Sequence, residues 1–471
     1  MSAVFSPWTL AIAGILTIIA TLASPNAALW AACVLALPIA VWLLGGRQAY
    51  RVLLWLIAIN WLTVIGDVVS ADLTGHVISE GGLGPYAVEA IIWSLCAILA
   101  LALGMRWGMR LWLFRSTGRT GMGSPAADER GVSLNRIIAS YFASLILFQI
   151  LGSIAAFVPT LAQPVLALTL IKFVCVYLLA AKVFESENGY SWLFLVLLLE
   201  TVSGLVGFFS AYKEAYIVTL IALVSSRRPM SVRMWLLGIT AVMTVAWLSL
   251  FWTAVKKEYR YHVFQNPIEQ RLAWVAGRLL SNSVDYGDAV TKIFERIGYT
   301  KFYAQVIARQ DTGSLRSGFN FYTEAVRHIL TPRVLFPDKS TLNDSKLTTA
   351  LLGLKIPSDT SISVGYIAQA HVDFGFPGLL LPVLIIGVMI GAAAKYFMTR
   401  PAPLLIREAF TTATLFLVFS IGENIDKSLG GFVVDCLAMG LALKFGYPMI
   451  ARWLAESAPI YSGNSIGKIR T

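Results

Sequence analysis

The chain has 471 residues, of which 57% are hydrophobic and only 13% are charged. A soluble protein of this length carries about 25% charged residues and cannot bury so much apolar surface, so a soluble globular protein is excluded. Apolar runs of about 18 or more residues recur, which is the length needed to cross about 30 Å of hydrocarbon. Such runs must be helical in lipid, because their backbone groups find no other partners there. The sequence therefore predicts an all-α polytopic membrane protein.

The formal net charge of +11 combines two effects, the Lys and Arg residues that anchor cytoplasmic loops and one large basic loop. No spaced recognition motif supports nucleic acid as the partner of this charge. A phosphate-binding glycine loop, a dinucleotide fingerprint, a zinc-protease motif and a nucleophile elbow are all missing from the sequence. The four cysteines lie within apolar runs. We expect neither a cofactor nor a metal site, and no ATP-driven transport.

Twelve membrane spans are predicted. The first apolar run lacks a basic lead-in, so we interpret it as a retained anchor. The eighth span is short, because Lys213 and Glu214 stand at its start. The predicted spans are residues 8–23, 28–45, 52–70, 87–105, 137–157, 164–182, 191–210, 212–226, 233–255, 372–396, 405–422 and 430–451.

Basic residues in the short loops predict the orientation. With twelve spans, every short basic loop falls on the side of both termini, which the positive-inside rule assigns to the cytoplasm. The predicted organisation is spans 1–9 with a basic cytoplasmic loop at 106–136 in residues 1–255, a large periplasmic loop at 256–371, and spans 10–12 with a cytoplasmic tail in residues 372–471.

The large extracytoplasmic loop contains 15 Lys and Arg residues against 10 Asp and Glu residues. Charge does not determine the side of a loop this long, so its basic character does not contradict the orientation. Apolar residues recur at helical spacing between glycine and proline stops, which predicts short amphipathic helices that lie on the membrane face and roof a cavity. The predicted helices are one that begins at Pro267 and those at 289–297, 301–309, 321–330 and 345–352.

Segment 332–339, with sequence PRVLFPDK, is predicted to form a rigid turn around two cations. Arg333 could form a bidentate pair of hydrogen bonds with a phosphate group, and Lys339 could act on the same group as a point charge. The alternative is a basic turn that only faces solvent. Arg327 and His328 precede this turn, and His328 could serve as a general base or be merely structural.

Further ionisable residues flank the predicted spans. Lys213 and Glu214 stand at the outer membrane boundary, where they either form an ion pair or help to hold a lipid-linked pyrophosphate. Arg260 follows the outer end of the ninth span. His371 and Asp373 open the tenth span as candidate acid/base or orienting groups, the alternative being close helix packing by the glycines beside them.

Asp67 is the deepest acid in the N-terminal half of the chain. It could pair with another helix or bind a proton; we expect it to lie near the outer boundary and favour the structural role. No charge pair is predicted deep in the membrane, and no inverted repeat is evident. Both absences argue against a transporter.

Three segments carry a resemblance to a known family: residues 332–339, residues 360–365 (TSISVG) and residues 373–378 (DFGFPG), which open a span. They resemble Wzy-type oligosaccharide repeat-unit polymerases, bacterial inner-membrane enzymes that join lipid-linked units into O-antigen, capsule or exopolysaccharide. The likeness covers about residues 320–395 and implies a GT-C-like polymerase/ligase architecture. This chain has Gln369 where many relatives carry an acid. It also lacks, at 363–366, the histidine of the related O-antigen ligases, which disfavours the ligase interpretation.

The resemblance implies a metal-independent, inverting glycosyl transfer on the periplasmic face. The growing glycan would leave its polyprenyl pyrophosphate and pass to a sugar hydroxyl of the incoming lipid-linked unit. Arg333, Lys339 and Lys213 would stabilise the charge that develops on the pyrophosphate, with Arg327 and Arg260 as further cations. The expected partners are the polyprenyl-pyrophosphate-linked oligosaccharide, membrane lipids, a chain-length regulator and a flippase.

The base that deprotonates the acceptor hydroxyl is left open among His371, His328 and Glu214. Two alternative functions also stay open: ligase-type transfer to another acceptor, and a non-catalytic flippase or transporter for a lipid-linked oligosaccharide. Loop aromatic residues could stack on sugar rings or anchor the roof helices at the interface. These residues are Tyr299, Tyr303, Phe319 and Tyr322.

Overall fold

The fold is taken from a computed structural model of the chain. The described residues are 14–15, 17–19, 22, 24–45, 50–80, 83–111, 132–158, 162–207, 212–226, 228, 231–281, 284, 286–315, 320–331, 336, 344–354 and 363–454. Their regular structure is helical, and no strand occurs among them. Eight of their helices are long and apolar enough to cross a membrane. The prediction of an all-α, multi-pass membrane protein is thereby confirmed.

The helices fall into three groups along the chain. The first group comprises α1 (Ala27–Leu44), α2 (Arg51–Leu73), α3 (Ala87–Arg110), α4 (Leu134–Phe157), α5 (Ala162–Ser186), α6 (Tyr190–Val206), α7 (Lys213–Ser225) and α8 (Val232–Glu258), which continues as a π-helical turn (Tyr259–Val263). The second comprises α9 (Ile268–Leu280), α10 (Gly287–Ile297), α11 (Thr300–Asp311), α12 (Phe321–Leu330) and α13 (Asp344–Leu352). The third comprises α14 (Tyr366–Gly378), α15 (Leu380–Met398), α16 (Leu404–Leu415) and α17 (Ile425–Leu454).

Twelve spans are not established. Helices α6, α7 and α16 have 17, 13 and 12 residues. At 1.5 Å per residue even α6 reaches only about 26 Å, short of the hydrocarbon thickness. Most of the predicted span 8–23 lies outside the described residues. The predicted span 372–396 is divided, because Gly375 adopts φ +63° and kinks the chain between α14 and α15.

The bundle is centred on the contact between α3 and α15, where four glycines let the two backbones touch. A Cβ atom on Gly104 would lie 2.1 Å from the Leu384 carbonyl oxygen, and one on Gly391 would lie 2.0 Å from the Met105 carbonyl oxygen. Two further glycines, Gly108 and Gly387, make the same kind of approach. Glycines thus allow close packing between α3 and α15. At 375–378, a Cβ on Gly375 would meet nothing within 4 Å, and one on Gly378 would meet only the Phe374 Cβ of the same helix, at 3.2 Å.

The short loop helices form as predicted. Helix α12 has the predicted bounds, and α10 ends before Gly298 and α13 before Gly353. The first of them begins at Ile268, with Pro267 as its N-cap residue rather than its first helical residue. They pack on the ends of the membrane helices: α9 on α6, α10 on α2 and α8, α11 on α3 and α14, and α12 on α14 and α17.

Two acids fasten the loop helices to the bundle. The Asp67 carboxylate accepts hydrogen bonds from the Thr300 backbone N–H at 2.7 Å and its hydroxyl at 2.5 Å, at the start of α11. The Asp373 carboxylate accepts from the backbone N–H groups of Phe321 at 3.1 Å and Tyr322 at 2.9 Å, at the start of α12. Backbone N–H groups at a helix start lack partners within the helix, so both acids act as caps supplied by another helix. The structural role expected for Asp67 is confirmed.

Candidate functional site

Three elements bring five cations to one place. Helix α7 begins with Lys213, the end of α8 and its π-helical turn carry Lys256 and Arg260, and α10 carries Lys292 and Arg296. Residues four positions apart share a helix face, so each of the last two pairs points to one side. We refer to these five side chains as the cation cluster.

The positive charges of the cation cluster act on one another. Arg296 acts electrostatically on Lys213, Lys256 and Arg260, and Lys256 is also within range of Arg260 and Lys292. Lys213, Lys292 and Arg296 are exposed. Like charges in close proximity repel, and a bound anion relieves the repulsion. The cluster can therefore bind a multiply charged anion that approaches from solvent.

A compact aromatic core holds the end of α8 in place. The Tyr259 ring is fully buried, with ring centroids 5.2 Å from Trp252 and 5.8 Å from Trp274. Its hydroxyl donates to the Val206 carbonyl at 2.5 Å, and Arg271 Nη1 donates to the same carbonyl at 3.3 Å. These bonds satisfy the C-terminal end of α6 and fasten α8 and α9 to it. The cations at the end of α8 are thus carried on a rigid support.

The carboxylate of Glu214 acts electrostatically on Lys213 of the cation cluster. Glu214 is half-buried beside Lys213, and burial raises its pKa while the charges of Lys172 and Lys213 oppose that rise. Behind it, Glu200 is buried and accepts from Lys172 Nζ at 2.8 Å and from the Tyr141 hydroxyl at 2.7 Å. The Glu214 carboxylate and Lys213, one of the five cations, are therefore neighbours at the start of α7.

The ion pair between Lys172 and Glu200 corrects a prediction. Lys172 lies near the middle of α5 (Ala162–Ser186), and Glu200 lies in the second half of the 17-residue helix α6. Both helices are apolar, so a charge pair does exist deep among the membrane helices, although none was expected. Ionisable groups at such depth are costly and usually functional.

His371 has a different environment. It is 7% exposed, its ring stacks on Trp93 with centroids 5.0 Å apart, and the Tyr303 ring meets it edge-on at 5.4 Å. Burial lowers the pKa of His371 to about 4, so the imidazole is neutral at physiological pH. Within the described part of the chain its Nδ1 has no hydrogen-bond partner. No described charge shifts its pKa, so His371 is separated electrostatically from the cation cluster.

The loop aromatic residues serve mainly as packing groups. Tyr303 is 2% exposed and belongs to the main core, and the Tyr322 hydroxyl donates to the Tyr366 carbonyl at 3.0 Å. Tyr299 is half-buried and packs against the same core. Phe319 lies outside the described residues. Anchoring of the roof helices accounts for the described three better than sugar stacking does.

The remaining predicted site residues are not among the described members of the cation cluster. Arg333 and Lys339 are outside the described residues. Arg327 and His328 lie in the last turn of α12, where their carbonyls accept from the Thr331 hydroxyl at 3.0 and 3.3 Å. Helix α12 packs on α14 and α17, which do not contribute to the cation cluster.

The sequence interpretation missed five of the residues at this site, although their signals are visible. Lys172 and Glu200 interrupt apolar runs, which is itself a functional signal in a membrane protein. Lys256, Lys292 and Arg296 belong to the two cation pairs spaced by four residues. Lys213 and Arg260 were predicted as separate pyrophosphate ligands, and the fold places them in one cluster.

Known proteins do not identify the chain: no family model, no curated protein and no solved structure matches it. The chemistry of the site therefore has to be inferred from its own charges and from its position at the ends of membrane helices.

Proposed function

We propose that the protein polymerises polyprenyl-pyrophosphate-linked oligosaccharide repeat units into a surface polysaccharide, at the periplasmic face of a bacterial inner membrane. The observation that carries the proposal is the cation cluster formed by α7, α8 and α10. A lipid-linked pyrophosphate carries about two negative charges at the level of the lipid headgroups. Cations at the end of a membrane-length helix lie at the depth where that group would be presented.

The proposed reaction is a single displacement. The acceptor sugar hydroxyl loses its proton to a base, and its oxygen forms a bond with the anomeric carbon of the growing glycan. The bond from that carbon to the pyrophosphate oxygen breaks, the electron pair leaves with the pyrophosphate, and the anomeric configuration inverts. Charge develops on the leaving pyrophosphate, and fixed cations stabilise such charge without having to reorganise.

Under this proposal both termini are cytoplasmic, and α9 to α13 lie on the periplasmic side. Arg333 and Lys339 would supply further cations to the same diphosphate or to the incoming unit. The membrane partners would be a flippase that delivers the units and a regulator of chain length.

The test combines gene deletion with point variants, using gel analysis of surface glycans. A polymerase deletion leaves glycans with one repeat unit, a ligase deletion leaves none attached, and a flippase deletion leaves the substrate inside the cell. In the deletion strain, Arg296→Ala and Lys256→Ala should reduce chain extension by about 10²-fold, the effect of losing one fixed transition-state donor. Membrane yield should stay normal.

The matched control is Arg278→Ala. Arg278 is also a loop cation, but it is held by Glu258 at 2.6 Å and 2.8 Å, outside the cation cluster. Wild-type glycan length in Arg278→Ala combined with single-unit glycans in Arg296→Ala supports the proposal. Normal glycan length in both Arg296→Ala and Lys256→Ala refutes the role of the cluster. Deletion without any change in glycan length refutes the polymerase function itself.

A flippase or transporter for the same lipid-linked unit is the second candidate, and the buried Lys172–Glu200 pair favours it. Transporters use intramembrane ionisable pairs to couple protonation to movement. In that case Lys172→Met would leave lipid-linked units on the cytoplasmic side. Under polymerase activity the units would reach the periplasm and stay short.

A further inference from the structure

The deep ion pair is locked by three helices. Tyr141 of α4 donates to Glu200 Oε1 at 2.7 Å, and Lys172 of α5 donates to Glu200 Oε2 at 2.8 Å. Both carboxylate oxygens are therefore occupied, and Glu200 is only 4% exposed. Such a carboxylate cannot take a proton from a substrate, since neither oxygen faces an accessible space.

Lys172 uses one of its three N–H donors on Glu200, and its ammonium also lies 4.8 Å from the centroid of the Phe173 ring. The positive charge of Lys172 also acts electrostatically on Glu214, at the start of α7. Helices α5 and α7 pack against each other, which fixes the separation of the two groups. Lys172 is thus a fixed cation behind the carboxylate of Glu214.

Glu214 is a partly exposed carboxylate that acts electrostatically on Lys213 of the cation cluster. It is half-buried rather than enclosed, and it follows Lys213 directly in the chain. The His371 ring, by contrast, packs against the rings of Trp93 and Tyr303, and no described charge shifts its pKa.

We propose that Glu214 is the general base of the transfer, and that Lys172, held by Glu200 and Tyr141, is its positioning residue. The inference rests on the proposed function. The proton of the acceptor hydroxyl moves to the Glu214 carboxylate as the new glycosidic bond forms and the bond to pyrophosphate breaks. Glu214 then releases that proton to water, so atoms and charge balance without a further reactant.

The charges around Glu214 come from several elements. Lys172 of α5 and the neighbouring Lys213 stabilise its ionised form, and Glu200 of α6 opposes ionisation. From α8 and α10, Lys256 and Arg296 belong to the adjoining cluster, and Arg296 acts on Lys213. Helices α2, α16 and α8 also pack on α7, and no charge of theirs is among those that act on Glu214 in the described residues.

The test uses opposite substitutions and the pH profile of chain elongation by the full-length protein in liposomes, with its natural lipid-linked unit. Activity should fall on the acid side as Glu214 becomes protonated. Lys172→Met should move this acid limb to higher pH by about 1 unit, because a stabilising cation is lost. Glu200→Gln should move it to lower pH, because a repelling anion is lost. A purely structural role would not move the limb in opposite directions.

Removing one partner of a buried pair leaves an unpaired charge and can prevent folding. The double variant Lys172→Met/Glu200→Gln removes both charges, and its acid limb should return close to the wild-type position. Lys172→Arg should keep the wild-type limb. The matched control is Glu258→Gln, which breaks the exposed pair with Arg278 and should leave the limb unmoved.

A second measurement does not depend on polymerisation. Infrared difference spectra recorded against pH identify the carboxyl band that disappears in Glu214→Gln, and its midpoint should show the same opposite shifts. A midpoint that Lys172→Met and Glu200→Gln leave unchanged overturns the positioning role, even if the protein is a polymerase. Shifted midpoints in a protein that elongates nothing would instead overturn the proposed function. Full activity in Glu214→Gln overturns the assignment of the base.

Discussion

Asp67→Ala should release the start of α11 from membrane helix α2. The Asp67 carboxylate is 1% exposed and accepts two hydrogen bonds from Thr300, at 2.7 Å and 2.5 Å. Hydrogen bonds to a charged group contribute about 1.5–3 kcal/mol each, so the two together contribute at most about 3–6 kcal/mol. Burying a carboxylate is itself costly, which offsets part of this contribution. We expect the free energy of unfolding to fall by about 2–4 kcal/mol.

Gly298→Ala should also release the start of α11, because the added Cβ atom would displace the Asp67 carboxylate. A Cβ on Gly298 would lie 1.9 Å from Asp67 Oδ1, whereas an ordinary contact begins at 3.4 Å. The carboxylate would have to move by about 1.5 Å, the difference between these distances, and that shift breaks hydrogen bonds that need about 3 Å or less. The backbone φ of −72° at Gly298 suits alanine, so any loss comes from the contact alone.

Thermal unfolding in mild detergent, with hydrogen exchange at the Thr300 amide, measures both effects. Because the two substitutions disturb one contact, their costs should not add, and the double variant should show an interaction energy of about 2 kcal/mol. Gly277→Ala is the matched control, since a Cβ there meets nothing within 4 Å. A Gly298→Ala variant as stable as Gly277→Ala, with the Thr300 amide still protected, would refute this reasoning.

Three further outcomes are expected, the first two by thermal unfolding and the third by limited proteolysis. Gly391→Ala should destabilise the bundle by about 1–3 kcal/mol, because its Cβ would lie 2.0 Å from the Met105 carbonyl oxygen; an unchanged melting temperature would contradict this. His371 has a folded pKa of about 4 against an ordinary value of 6.5, so wild-type stability should fall as pH drops from 6.5 to 4, by about 3 kcal/mol in total. His371→Gln should lack that slope. Asp373→Ala should expose the loop to limited proteolysis, because the Tyr322 N–H in the first turn of α12 loses its acceptor.

The loop helices show what local sequence can predict. Their apolar residues recur at helical spacing, and their ends are set by Gly298, Gly353 and the prolines, all of which act within a few residues. Helix α12 consequently has its predicted bounds. The break at Gly375 was not predicted, because hydropathy runs unbroken through it and only the backbone conformation reveals the kink.

The candidate site was predicted only in part, because local sequence does not show which distant segments pack together. Lys213 and Arg260 were identified by their position beside apolar runs, which is a local property. That Arg296 acts electrostatically on both depends on how α7, α8 and α10 pack, and such interactions between distant segments cannot be read from either segment alone. The pairing of Lys172 with Glu200 is of the same kind, although each residue by itself was a visible anomaly in an apolar helix.

The sequence by itself determined that this is a helical membrane protein with a large loop of short amphipathic helices. Composition and periodicity suffice for that, because lipid forces apolar segments to satisfy their own backbone within a helix. Only the tertiary structure decided which helices touch, and hence that cations from three elements gather next to one half-buried carboxylate. Electrostatic neighbourhoods arise from packing, so they appear only when residues far apart in the chain are brought together.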